Sequence, residues 1–171
     1  MKKLLSFLLS VVLLPACTIM NRKPAASSPN PSVTYLAHVQ DYLVKHIVQA
    51  NFGGRVFCAY DVLGADMLSD RADVYVWALC AEYYREGEIL TMGTASSLPV
   101  AMHMQISSGG YQMVSSEVPE DGIGYGASLQ RIFPEAAIER MCHDNADCYN
   151  ERANRLEGAT KQQAEEFYSA P

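Results

Sequence analysis

Apolar residues recur along the chain first at helical and then at strand spacing. Behind Pro31 stands Ser32, a residue type that caps helix N-termini well. Val33, Leu36, Val39, Leu43, Ile47 and Ala50 then follow at three- and four-residue steps, while His38, Asp41, Lys45 and Gln49 fall on the opposite face. This predicts an amphipathic helix that ends where Asn51-Phe52-Gly53-Gly54 offers glycine for a left-handed terminus. Such a helix needs an apolar surface to cover.

The next residues supply one. Residues 55–63 and 72–84 are rich in β-forming side chains. In the second run Val74, Val76, Ala78 and Cys80 share one face, and Tyr75, Trp77, Leu79 and Ala81 share the other. Both faces are apolar, so this strand is expected to be central and covered twice. Residues 64–71 read as a hairpin loop, residues 88–94 as a third strand, 99–107 as a fourth and 111–118 as a fifth. A two-residue turn at Ser108-Gly109 would set Ile106 opposite Tyr111 and Met104 opposite Met113. Helical patterns then cover residues 128–133, 134–142 and 146–168. The last has only a weak apolar stripe (Tyr149, Leu156, Ala164, Phe167), which fits a loosely attached or projecting helix. The expectation is an α+β fold: an N-terminal helix packed on an antiparallel five-stranded meander, with C-terminal helices.

The first seventeen residues belong to none of this. Lys2 and Lys3 precede a largely apolar run of eleven residues, too short to span a bilayer, and Ala16 precedes Cys17. The segment resembles a bacterial lipoprotein signal, which implies cleavage before Cys17 and lipid attachment to it. Residues 17–31 hold three prolines, two serines and two asparagines and read as a flexible tether. The division is therefore a signal peptide (1–16), a tether (17–31) and one exported domain (32–171). The resemblance implies a cell-envelope location, at the outer membrane facing the periplasm in a Gram-negative host, since Thr18 is not the aspartate of inner-membrane retention.

Composition narrows the partners. With 49% hydrophobic and 19% charged residues, the chain can bury a core and is not a disordered segment. The formal charge of -6 becomes -8 once Lys2 and Lys3 leave with the leader, which argues against nucleic acid as a partner. The implied partners are the membrane, through the lipid, and an envelope protein or polymer. Four further cysteines in an exported chain favour disulfides. Cys58 and Cys80 fall on neighbouring strands, and Cys142 and Cys148 bracket a five-residue polar loop. These two pairings are preferred over the other two patterns.

Within residues 56–141, the runs DVYVWALCAEYY, SSLPVAMHM and VPEDGIGYGASLQRIFP resemble a little-characterised exported domain. That domain occurs with β-lactam-sensing antirepressor metallopeptidases and in stand-alone bacterial relatives. The most specific positions are Pro119, Glu120, Asp121, Gly122, Tyr125, Ser128, Phe133 and Pro134. The resemblance implies an exported accessory module and brings no activity with it.

Candidate chemistry is sparse. His38, His46, His103 and His143 do not make an H-E-x-x-H motif, and no metal or other cofactor is called for. Gly122, Gly124 and Gly126 follow antiparallel strands and acidic residues, so they read as a turn and not as a phosphate loop. Tyr75, Trp77, Tyr83 and Tyr84 are core candidates that could alternatively form a binding face. Two functional classes follow. One is a tethered, non-catalytic binding module, with an inhibitor- or immunity-like subtype. The other is a small hydrolase with a site near His103, Glu117 and Asp121, which a histidine bonded to a carboxylate in an open cleft would favour.

The leader makes its own prediction. Cys17→Ser should release the protein from membranes or leave an uncleaved precursor, read by fractionation and intact mass. Unchanged processing and membrane retention would exclude the anchor.

Overall fold

Four strands pair in chain order as one antiparallel sheet: β1 (Arg55–Met67), β2 (Arg71–Glu86), β3 (Ile89–Ser107) and β4 (Gly110–Glu117). One face is covered by α1 (Pro31–His46), the other by α2 (Tyr125–Ile132), α3 (Glu135–Glu139) and α4 (Ala146–Ser169). This computed structural model describes residues 31–142 and 145–170. The signal peptide, Cys17, the tether up to residue 30 and His143 lie outside the described residues.

The two faces of β2 sort the core as its alternation predicts. Val74, Val76, Ala78 and Cys80 meet Val39 and Leu43 of α1, and Tyr75, Trp77, Leu79, Ala81 and Tyr83 meet Leu129, Ile132, Leu156 and Ala164 from the C-terminal helices. Val39 and Leu43 are fully buried, which at about 1.5–3 kcal/mol per side chain is enough to dock α1. The helix ends at His46, earlier than its pattern suggested. Ile47 still bonds to the Leu43 carbonyl, but Val48 is buried from non-helical chain, because the segment that follows is drawn down onto β2.

The meander has four strands, not five. The expected third and fourth strands are one nineteen-residue β3 that runs straight through Ser96, Ser97, Leu98 and Pro99. Pro99 is tolerated because β4 pairs with β3 only from Ala101 to Ser107, so the proline ring leaves no rung unmade on that side. The β1–β2 loop is likewise shorter than expected. The strands continue to Met67 and from Arg71, with Leu63 left out of register as a bulge. The β3–β4 turn matches the expectation, with Ile106 opposite Tyr111 and Met104 opposite Met113. Cys58 stands opposite Cys80 and is bonded to it, and Cys142 is bonded to Cys148. The first bridge spans a sequence separation of 22, for which chain entropy gives a stabilisation of about 3 kcal/mol.

One charged residue sits in the middle of this apolar layer. Glu82 is fully buried on β2, and its carboxylate accepts the backbone N–H groups of Asn51, Phe52 and Gly54 at 2.8, 2.8 and 2.9 Å. It thereby fixes the α1–β1 connection. Gly54 must be glycine there, since a Cβ would run into the Tyr83 carbonyl oxygen. Burial pushes the Glu82 carboxyl up, but the backbone donors of Asn51, Gly54, Phe52 and Thr94 together bring it below its ordinary value.

A carboxyl with a lowered folded-state pKa stabilises the fold above its unfolded pKa, and that stability is lost as pH falls through the folded value. Urea midpoints should therefore fall between neutral pH and about pH 3. Glu82→Gln should lower the neutral midpoint and flatten the acid limb. A variant with an unchanged acid limb would show that Glu82 is not the group responsible.

Candidate functional site

The tyrosines and tryptophan singled out on β2 are mostly structural. Tyr75, Trp77 and Tyr83 are buried beneath the C-terminal helices, and Tyr84 is half-buried and stacked on Phe52. The Tyr75 hydroxyl donates to Asp66 at 3.2 Å. Burial first, then the charge of Asp66, push the Tyr75 phenol to about 12, so it stays a donor. Tyr75 also lines a small hollow of about 250 Å³ beside Pro134 and Arg140, and Trp77 lines a larger opening.

That opening is a cleft of about 570 Å³ between β3, the connector after β4, and α4. Trp77 lies at its base, Leu98 and Pro99 form one wall, Val118, Pro119 and Asp121 the second, and Tyr125 and Tyr149 the third. The indole is held on several sides. Its Nε1 donates to Ser97 Oγ at 3.0 Å, Tyr149 meets it edge-on at 5.9 Å, and the Arg152 guanidinium lies 5.5 Å from its centroid.

Arg152 is itself anchored. It is buried on α4, donates from Nε to Asp61 of β1 at 3.0 Å, and donates from its terminal nitrogens to the Met141 and Arg140 carbonyls. Arg155 adds a two-pronged contact to the same carboxylate at 2.8 and 2.6 Å. That contact holds the Asp61 carboxyl below its ordinary value; burial opposes it, and Arg152 adds to the lowering. The pair ties α4 to the sheet, so this helix neither projects nor lies loosely.

The connector is ordered by Ser128. Its hydroxyl accepts the Glu120 N–H and donates towards the Gly124 and Tyr125 carbonyls, all at 2.9 Å. Gly122 has a positive φ of 67° and opens a short 3-10 turn, Gly122–Gly124, leading into α2. The glycine-rich run is thus a turn, and Asp121 faces the cleft.

The hydrolase candidates are brought together only in part. His103 Nδ1 donates to Asp73 at 2.7 Å, and Nε2 lies 3.4 Å from a Glu117 oxygen without hydrogen-bond geometry. Asp121 lines the Trp77 cleft and is not among the residues lining the hollow beside His103. Nε2 is sealed from solvent, so the nitrogen left free by Asp73 cannot meet a substrate in this conformation. Among the described residues no three or more His, Cys, Asp or Glu side chains gather as metal ligands would. A larger hollow, about 710 Å³, opens beside Phe133, Ile138 and Cys142.

No protein-family model, curated protein or solved structure matches the chain. The site must be read from its own geometry. Sequence patterning missed Asp61, Asp73, Ser97 and Arg152, and it named Tyr125 only through the resemblance and Tyr149 only as part of the last helical stripe. Asp61 and Asp73 carried a signal, as acids inside strand-forming runs; Arg152 carried none.

Asp61→Ala would leave Arg152 buried without its carboxylate and should cost about 3 kcal/mol in denaturant unfolding. Trp77 emission should change with it. A loss below about 1 kcal/mol would reduce the pair to an ordinary surface bridge.

Proposed function

We propose that the chain is a membrane-anchored envelope lipoprotein whose domain acts as a non-catalytic binding module, with the cleft above Trp77 as its contact site. The lipid on Cys17 would be the anchor, and an inhibitor- or immunity-like role is one form of such a module. The observation that carries the reading is the immobilised indole. An indole held by Ser97, Tyr149 and Arg152, buried but for the part that lines the cleft, loses little freedom on contact, and the cleft around it mixes apolar side chains (Pro99, Val118, Pro119) with polar ones (Ser96, Ser97, Asp121). Among the described residues no helix is long and apolar enough to cross a membrane, which leaves attachment to the lipid in this proposal. The resemblance to an exported accessory domain supports the same class of role, because its most specific residues build the connector along this cleft.

The hydrolase reading keeps one favourable observation, the bond between His103 and Asp73. Its weakness is the buried Nε2. Affinity capture from solubilised envelopes, using the full-length tagged protein in detergent, separates the two. Tyr149→Ser should reduce recovery of the captured component about tenfold, as loss of an aromatic anchor does, and His103→Ala should leave it unchanged. A turnover activity abolished by His103→Ala or Glu117→Ala, with melting unaltered, would overturn the binding reading in favour of the enzyme.

A further inference from the structure

The two outer edges of the sheet are treated differently. On β1 the Cys58 carbonyl accepts Gln40 Nε2 from α1 at 3.0 Å and Gln163 Nε2 from α4 at 3.2 Å, and the Leu63 carbonyl accepts Arg140 at 2.9 Å. Side chains from both faces therefore cap that edge. On the far side, β4 covers β3 only along Ala101–Ser107, and the strand begins at Ile89. A stretch of about ten residues before Pro99 carries no ladder on its outer side; a bulge at Gly93 and Thr94 divides it, where Asn51 Nδ2 donates to Thr94 Oγ1 at 3.1 Å.

The direction of its backbone groups follows from the register. Cys58 and Cys80 have Cα atoms only 4.1 Å apart, the spacing of a pair without mutual backbone hydrogen bonds. Cys80 therefore turns its N–H and C=O towards Ser96 on β3, and the neighbouring Ala95 and Ser97 turn theirs outward. Pro99 falls in the same outward phase, consistent with its tolerance. Ala95 and Ser97 are exposed. No Asp, Glu, Lys or Arg occurs anywhere in β3, so the strand lacks the charges that usually guard an edge.

We propose that the β3 edge from Ile89 to Leu98 accepts an added strand: an extended peptide segment of a partner protein, with alternating apolar side chains and a basic residue towards each end. This rests on the binding-module reading and names its ligand class. Backbone pairing would supply affinity, and side chains on one face of the added strand would enter the cleft above Trp77. The charge preference comes from the two ends of the open edge. Glu86 and Glu88 flank the turn into β3, and Asp121 lines the cleft at the other end, while the neighbouring Glu120 is paired with Arg131 at 3.8 Å. A second copy is the wrong occupant, because antiparallel self-pairing about a two-fold axis would set Glu86 and Glu88 of each chain against Asp121 of the other.

The test uses the full-length protein in detergent and a capped nonapeptide of alternating threonine and valine with lysine at both ends. A glutamate-ended version is the control. Trp77 is the only tryptophan, so its emission reports the cleft, and hydrogen exchange of residues 89–98 reports the edge. The lysine-ended peptide should shift emission and protect those amides. Ala95→Pro removes one outward N–H without touching the β2 ladder and should weaken binding about tenfold. Glu88→Lys with Asp121→Lys, both at exposed positions, should reverse the preference towards the glutamate-ended peptide. An emission change without protection of residues 89–98 would leave the cleft as a binding site and sink strand addition. Protection without peptide, in a protein that sediments as a dimer, would make the second copy the occupant and overturn the proposal. No response to either peptide would overturn it too, while envelope capture would still judge the binding reading separately.

Discussion

The constraint on which the fold depends is that β2 is apolar on both faces. From Val74 to Tyr83 every side chain is buried, and no two-layer arrangement could cover it. The chain answers with three layers, α1 below and α2 to α4 above, although the sheet is antiparallel and such sheets often leave one face wet. The bond between Cys58 and Cys80 lies within the α1 layer, where both cysteines are fully buried. It therefore locks the pairing that lets each face meet its own helices.

Apolar burial is non-directional, so it does not say where along the sheet a helix should end or begin. Two polar anchors, the buried Glu82 and the half-buried Asp61, supply that information. Glu82 gathers the backbone of residues 51–54 and so sets where the chain enters β1. Asp61 receives Arg152 and Arg155 and so sets the position of α4 along β1 and β2. Each would be costly unpaired, and each is satisfied by groups from a different element. Position is thus fixed by hydrogen bonds and stability by packing.

The same division explains what could be read from the sequence. Elements defined by apolar alternation were legible: both faces of β2, the Ser108-Gly109 hairpin register and the docking face of α1. The division of β3 into two strands failed because Pro99 and the serines before it look like a break, and only the short reach of β4 makes the proline harmless. The stripe of α4 looked weak because its buried positions, Arg152, Leu156, Thr160 and Ala164, recur every four residues with two polar members. Their partners, Asp61 of β1 and the Tyr83 hydroxyl, lie 91 and 77 residues away. A polar residue that is buried by a distant partner looks, in its local window, like a residue facing water. Of the site, Trp77 and Asp121 were visible as candidates, but the core reading of Trp77 and the catalytic reading of Asp121 each concealed the cleft they share.

Cleft and open edge have a single structural origin. β4 stops at Glu117, opposite Ala101, and the chain leaves the sheet through Pro119 towards α2. Had β4 continued to match β3, its next residues would have covered Pro99, Ser97 and Ala95, closed the edge and filled the space above Trp77. The connector instead bends away and is pinned there by Ser128, so that Asp121 and Tyr125 become a wall with no strand behind them. A fold that needed only to be stable would gain from completing that strand, because an unpaired and uncharged edge invites association. The β1 edge, capped by Gln40, Gln163 and Arg140, demonstrates that this chain can close an edge with side chains. On the β3 side the backbone between Ala95 and Leu98 has no such cap among the described residues, so the two edges of one sheet differ in whether side chains close them.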